Sequence, residues 1–146
     1  MLRGNSLAKV DAKGRLKVPA SFRGVIEPKY GNEFFVTSLR GASVLIYPMQ
    51  VYADLEERLT SSSSVGPLVS KLRFALNSYG QGAVMDQQGR ILIHPFLRDK
   101  TEINGEVAVL GQQNYLEVWN RARFDEQLDR DPLTDEELRL LADLGF

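Results

Sequence analysis

A short motif that could bind a charged partner occurs twice in the chain. It has the form Asp-x-x-Gly-Arg and begins at Asp11 and again at Asp86. An aspartate that opens a turn accepts bonds from the backbone N–H groups that follow it and can pair with an arginine. The glycine allows a positive φ. The residues predicted to build the two structural turns are Asp11, Gly14, Asp86, Gly89 and Arg90.

Arg15 is predicted to do more than close its turn. A guanidinium has five donors and one carboxylate uses two of them, so Arg15 keeps donors for a ligand. Basic side chains surround it in the first copy but not in the second. Lys9, Lys13, Arg15 and Lys17 align with Val84, Gln88, Arg90 and Leu92. We expect the first copy to contact a polyanion and the second to serve structure or assembly. A role of the lysines in solubility alone is the alternative.

Two related aspartates could instead form a catalytic dyad, as in aspartic proteases. Those sites need a small hydroxyl side chain to orient each carboxylate. Here the residues after the aspartates are Ala12-Lys13 and Gln87-Gln88, and the nearby arginine would keep each aspartate ionised. The chain has no cysteine and one histidine, His94, which we expect to be either a surface residue or a satisfied hydrogen bonder. We therefore predict no enzyme activity, no catalytic residue, no metal and no cofactor.

The distribution of charge also favours a polyanion as partner. The formal net charge is −1. Residues 1–75 nevertheless carry 11 basic against 6 acidic side chains, and residues 76–146 carry 7 against 13. A basic front half joined to an acidic back half suggests a face that binds a polyanion. Uneven scatter of surface charge is the alternative.

The motif lies within an internal repeat that predicts the fold. Residues 11–23 align without a gap to 86–98, and residues 44–48 align to 116–120. Alternating apolar residues predict strands at 7–10, 15–18, 82–85 and 90–93, with Pro19 and Pro95 ending the ladders. Further strands at 34–37 and 106–110 should form hairpins with 44–47 and 115–119. Each half is near the lower size limit for a core of its own. We therefore expect a mainly β unit with peripheral helices (α+β), its two halves packed about a pseudo-twofold axis.

Helices are predicted outside the two β modules. The modules span residues 5–50 and 80–123, a helical linker 51–79, and a C-terminal helical segment 124–146. Apolar residues four apart begin at Val51 and Phe124. Ser61–Ser64 reads as a small polar linker before a second helix that ends near Gly80. Thr134 to Glu137 has the pattern of a capping box and should open a last helix, closed by Gly145.

Taken together, these motifs resemble the MraZ family of bacterial transcriptional regulators, which carry two AbrB/SpoVT-like modules. The resemblance covers nearly the whole chain. Its first part is Met1-x-Arg3-Gly4 and Asp11-x-Lys13-Gly14-Arg15-Leu16, followed by Pro19 and Phe22-Arg23. Its second part is Leu45-Ile46-Tyr47-Pro48, Asp86-x-x-Gly89-Arg90, Pro95-x-Leu97-Arg98 and Glu117-Val118-Trp119. The second proline stands one residue later than the repeat predicts, after His94.

This resemblance implies a swapped-hairpin, AbrB-like barrel. It implies a ring-shaped homo-oligomer that binds short direct repeats in double-stranded DNA, upstream of the division and cell-wall gene cluster, and represses that cluster. The DNA-contacting role of the first arginine carries over to Arg15, with Lys13 and Arg3 as neighbours. Lys9 and Lys17 complete the DNA-binding set that we predict.

The remaining expectations concern partners and location. No apolar run approaches the ~20 residues needed to span a bilayer, and the N-terminus has no signal-peptide pattern. We expect a cytoplasmic, nucleoid-associated protein with no membrane partner and no small-molecule substrate. A scaffold or partner-binding module that does not bind DNA remains the alternative on the same fold.

Overall fold

A computed structural model describes residues 1–62 and 66–146. Within these residues the chain forms eight strands, six α-helices and a 3-10 turn at Ala142–Leu144. The strands are β1 Asn5–Val10, β2 Arg15–Lys17, β3 Glu33–Thr37, β4 Val44–Pro48, β5 Gln81–Val84, β6 Arg90–Leu92, β7 Gly105–Gly111 and β8 Leu116–Asn120. The helices are α1 Ala20–Tyr30, α2 Met49–Ser61, α3 Gly66–Tyr79, α4 Pro95–Thr101, α5 Arg121–Arg130 and α6 Asp135–Leu140.

All eight strands join one antiparallel sheet in the order β5-β3-β4-β8-β7-β1-β2-β6. The two predicted hairpins, β3–β4 and β7–β8, are confirmed. The second turn brings the two end strands, β5 and β6, together, because Asp86 N–H donates to the Arg90 carbonyl at 3.0 Å. Asp11 N–H donates to the Arg15 carbonyl in the same way across the first turn, which joins β1 and β2. The sheet is therefore a nearly closed barrel, as the predicted fold class requires.

The strands before the two turns are exchanged between the repeats. β1 pairs along its whole length with β7 of the second repeat, and β5 pairs with β3 of the first. Across the first turn, β1 and β2 share only the pair Val10–Leu16. A hairpin closed within each repeat would leave two small half-cores. The exchange makes a single core that both repeats must build together.

The register places a pseudo-twofold axis between β2 and β6. Leu16 pairs with Ile91, and these two residues occupy the same position in the two repeats. Likewise, Leu45 of β4 pairs with Glu117 of β8. Leu16 and Ile91 are fully buried, and Val18 and Ile93 lie with them in the core. The alternation predicted for β2, with leucine and valine inward and the basic residues outward, is therefore confirmed.

Two helices that the sequence analysis did not predict follow the turns. Pro19 and Pro95 are predicted to end strands, but α1 begins immediately after Pro19 and α4 begins at Pro95. Pro95 suits the first position of α4 because a first helical residue needs no N–H donor and the fixed φ of proline is already helical, whereas Pro19 is the N-cap of α1. Phe22 and Ile26, four residues apart and buried, were the signal for α1.

The predicted helices outside the sheet are present. α2 runs through Ser61, so the expected polar linker is shorter at its start, and its residues 63–65 lie outside the described part of the chain. α3 ends at Tyr79, as expected. The capping box at Thr134 is confirmed, with Glu137 N–H donating to Thr134 Oγ1 at 3.1 Å. Neither α5 nor α6 contains a buried residue. Across residues 1–62 and 66–146, no helix has the length and apolar character needed to cross a membrane.

Candidate nucleic-acid interface

The first turn is held by three bonds to one carboxylate. Asp11 Oδ1 accepts from the backbone N–H groups of Lys13 at 3.0 Å and Arg15 at 2.9 Å. Asp11 Oδ2 accepts from Arg15 Nε at 2.8 Å. The bond from the Arg15 backbone N–H is the main reason that the pKa of Asp11 lies below its ordinary value. These bonds hold the backbone N–H and the Nε of Arg15 in place.

The second turn repeats this geometry. Asp86 Oδ1 accepts from the N–H groups of Gln88 and Arg90, both at 2.9 Å, and Oδ2 accepts from Arg90 Nε at 2.8 Å. The backbone bond from Arg90 likewise lowers the pKa of Asp86. Both arginines bind through Nε, and among the described residues neither has a partner at its terminal nitrogens. Both guanidinium tips can therefore donate to a ligand.

Each turn glycine is required by its backbone conformation, and the side chain of an arginine from the other repeat packs against it. Gly14 has φ +85° and Gly89 has φ +79°. A side-chain carbon at Gly14 would lie 2.5 Å from the Arg98 guanidinium, and one at Gly89 would lie 2.9 Å from Arg23 Nη1. The arginine of one repeat thus packs over the turn of the other.

Arg23 and Arg98 support the two turns, a structural role that the sequence analysis did not predict. Arg23 Nη2 donates to the Gln87 carbonyl at 2.9 Å and its Nε pairs with Glu27. Arg98 Nε donates to the Ile93 carbonyl at 2.8 Å. Their recurrence as the last arginine of both aligned blocks was the available signal. Their role depends on contacts between repeats, which an alignment of the repeats does not reveal.

Pairing of β2 with β6 brings basic residues of both repeats to one outer face. Arg15 lies opposite Leu92, and Lys17 lies opposite Arg90. The side chains of Arg15 and Arg90 are 31% and 27% exposed, and Lys17 and Leu92 are exposed as well. We call these four residues the β2–β6 face. Arg90 of the second repeat therefore lies on the same face as the basic residues of the first repeat.

The other predicted DNA-binding residues lie at different distances from this face. Lys13 is exposed on the turn itself. Lys9 is exposed on β1, directly opposite Glu106 of β7. Arg3 precedes β1, whereas the turn follows it, so the length of the strand separates Arg3 from Arg15. The backbone of Arg3 packs against Gly111 at the β7–β8 connection. The structure thus groups Lys13, Arg15 and Lys17 with Arg90 and leaves Arg3 apart.

His94 is a satisfied hydrogen bonder, as expected. Its Nε2 donates to the Tyr79 carbonyl at 2.9 Å, which ties the start of α4 to the end of α3. Within the described ranges, no group of three or more histidine or acidic side chains could hold a metal ion.

Comparisons with known proteins identify the family of this chain. The family described as "MraZ protein, putative antitoxin-like" matches residues 1–68 and 81–143. A protein of Acidobacterium capsulatum named "Transcriptional regulator MraZ" is 41% identical over 146 residues, which is the whole of both chains. One of Koribacter versatilis with the same name is 43% identical over 147 residues, again the whole of both chains. A third, from Thiobacillus denitrificans, is 34% identical over 88% of this chain and 86% of its own. These matches span both repeats and both turns, so the chain belongs to the MraZ family of transcriptional regulators.

Proposed function

We propose that this protein is a sequence-specific DNA-binding repressor that contacts duplex DNA with its β2–β6 face. The observation that carries the proposal is the register of β2 and β6, which puts Arg15, Lys17 and Arg90 side by side on an exposed surface. The proposed targets are short direct repeats upstream of its own operon, in the division and cell-wall gene cluster, as the family resemblance implies. The proposed location is the cytoplasm, on the nucleoid.

The chemistry of this surface supports readout in the major groove. That groove of B-DNA is about 12 Å wide and admits a two-stranded β-ribbon. Arginine reads guanine by donating two bonds from one side of its guanidinium. Arg15 and Arg90 each give Nε to an aspartate and keep their terminal nitrogens for such a contact. Because the aspartates hold the guanidinium groups in place, less side-chain freedom is lost on binding.

The number of positive charges supports binding as a multimer. One copy presents about four cations near the face: Lys13, Arg15, Lys17 and Arg90. So few phosphate contacts give weak, mainly nonspecific binding at physiological salt. A ring of copies would place several such faces on one rim, and linked sites can raise the overall affinity by ~10²–10⁴ without a new contact. Evenly spaced direct repeats are the DNA that such a rim fits.

The test is fluorescence anisotropy with duplexes from the region upstream of the gene, carrying one, two, three or four repeats. We expect affinity to rise steeply with repeat number and to fall when the spacing is changed by half a helical turn. A duplex with the same base composition in scrambled order is the control. Equal affinity for the scrambled duplex would contradict sequence-specific binding. No salt-dependent binding to any duplex would favour the scaffold alternative.

A further inference from the structure

The β2–β6 face has one member that carries no charge. Leu92 is 51% exposed, whereas the other three members are cationic. Its side chain points outward, because Ile91 beside it in the strand is fully buried. It lies directly opposite Arg15. A single exposed leucine is common on protein surfaces, but this leucine lies on the surface that we propose to bind DNA.

The pseudo-twofold axis shows which residue Leu92 replaces. The axis exchanges Arg15 with Arg90. It also exchanges Lys17 with Leu92, so one half of the face is apolar where the other half is basic. Val84 extends the apolar half, since it is 64% exposed at the end of β5, where the first repeat has a lysine. The two arginines are therefore alike, whereas the side chains beside them differ in kind.

Leucine and lysine suit different parts of a DNA duplex. A lysine binds phosphate, whereas a leucine would only strip water from a phosphate. In the major groove thymine presents its C5-methyl group, and apolar side chains contact that group. Residues directly opposite on antiparallel strands are about 5 Å apart, and successive base pairs are about 3.4 Å apart. Leu92 can therefore reach a base within about two steps of the base that Arg15 contacts.

We propose that Leu92 reads a thymine in the target DNA by contact with its C5-methyl group, close to the guanine that Arg15 reads. This contact rests on the proposed function, because it needs the β2–β6 face to lie in the major groove. The same contact would let a nearly symmetric face distinguish the two directions of a duplex. Two equal halves would bind a repeat equally well in either direction, whereas Lys17 and Leu92 make one direction more favourable. Direct repeats all run in the same direction, so they match such a face.

Removal of the thymine methyl group alone provides the test. Deoxyuridine pairs with adenine as thymidine does and lacks only the C5-methyl group. The probe is a duplex with two repeats from the region upstream of the gene, in which each thymine of the repeat is replaced in turn, in both copies, by deoxyuridine. For the wild type we expect one such replacement to weaken binding by about fourfold per repeat, the effect of burying one methyl-sized group. Replacements at the other thymines are internal controls and should change the affinity much less.

Variants of Leu92 assign that effect to its side chain. Leu92→Ala should bind the thymine duplex about as weakly as the wild type binds the sensitive deoxyuridine duplex, and the replacement should then have no further effect. Leu92→Met keeps an apolar side chain of similar volume, so it should retain the wild-type ratio of the two affinities. The ratio compares two duplexes on the same protein, so a general loss of stability does not change it.

The matched control is Leu128→Ala. Leu128 is 60% exposed on α5, which follows β8, and β8 lies four strands away from β6 in either direction around the barrel. This variant should keep both affinities of the wild type. A loss of the ratio in Leu128→Ala would contradict a local effect at Leu92.

Two further outcomes would overturn the thymine contact: no deoxyuridine replacement weakens binding by the wild type, or Leu92→Ala keeps the wild-type ratio. A duplex with scrambled sequence separates these outcomes from failure of the proposed function. A wild type that prefers the repeats to the scrambled duplex but does not respond to the methyl group contradicts the thymine contact and retains the proposed function. A wild type that binds both duplexes equally contradicts both.

Discussion

Lys17 of β2 lies directly opposite Arg90 of β6, although the two residues belong to different copies of the repeat. Side chains directly opposite on antiparallel strands lie about 5 Å apart. Like charges at that distance repel each other. The ion pair of Arg90 with Asp86 reduces this repulsion, and the DNA proposed above would reduce it further. Lys17 also gives Arg90 a basic neighbour, whereas the residue that aligns with Lys17 in the second repeat is Leu92.

The first prediction concerns the two turn arginines. Arg15→Ala and Arg90→Ala should each weaken binding to a specific duplex by ~1–3 kcal/mol, because each removes a fork that can read a base. Arg→Lys at either position should restore part of the affinity but little of the sequence preference. Titration of specific and scrambled duplexes at one salt concentration measures both effects.

Thermal unfolding controls for damage to the turns. Both ion pairs are partly exposed and screened by solvent, so losing one should lower the stability only slightly. If only Arg15→Ala weakened binding, the contact would be confined to the first repeat, as the sequence alone suggested.

The second prediction concerns the lysines. Lys13→Gln and Lys17→Gln should each reduce the slope of log affinity against log salt by about 0.9, the value for one lost phosphate contact. Lys9→Gln should reduce it less, because Glu106 lies directly across from Lys9. Lys71→Gln on α3 is the control. If none of the three changes alters the slope, these lysines do not contact phosphate and serve only the solubility of the protein.

The third prediction is a loss of stability in acid that depends on the two turn aspartates. Both have a pKa below the ordinary value of 3.8. The unfolded chain therefore takes up protons first as the pH falls below about 4, and the free energy of unfolding decreases until the folded carboxylates are also protonated. Above that range the stabilisation is fully present.

Replacing both residues, Asp11→Asn and Asp86→Asn, should lower stability at neutral pH and flatten this part of the profile. Urea unfolding at a series of pH values measures the slope. Lys13→Gln, which keeps both carboxylates, is the control and should retain it. An acid profile that the double variant leaves unchanged would show that the two carboxylates do not stabilise the fold.

The fourth prediction separates strain from contact at the turn glycine. Gly14→Ala should destabilise the protein by more than the ~1–2 kcal/mol that a left-handed backbone costs an alanine, because its new carbon also meets Arg98. For a domain of this size, each kcal/mol lowers the unfolding midpoint by about 2–4 °C. Gly4→Ala is the matched control, since its φ is +78° and nothing lies within 4 Å.

Adding Arg98→Ala to Gly14→Ala should recover the contact part of the loss when compared with Arg98→Ala alone. Equal losses of stability from Gly14→Ala and Gly4→Ala would mean that the Arg98 side chain moves aside without an energetic cost.

Local features of this protein follow from its sequence alone. The carboxylate of Asp11, the flexibility of Gly14 and the donors of Arg15 lie within five residues, so the turn is determined by neighbours in the chain. The alternation in β2, the hairpins and the capping box at Thr134 are local for the same reason. Helix α1 was missed because Pro19 suits a strand end as well as a helix start.

Only the tertiary structure decided which strands pair. Both repeats have the same apolar pattern, so β1 could pair within its own repeat or with β7 of the other, and no local signal separates the two. Burial of one shared core in place of two half-cores favours the exchange. That exchange sets Lys17 opposite Arg90 and lays Arg23 and Arg98 over turns far away in sequence. The composition of the DNA-binding face we propose therefore depends on a pairing that the sequence pattern leaves open.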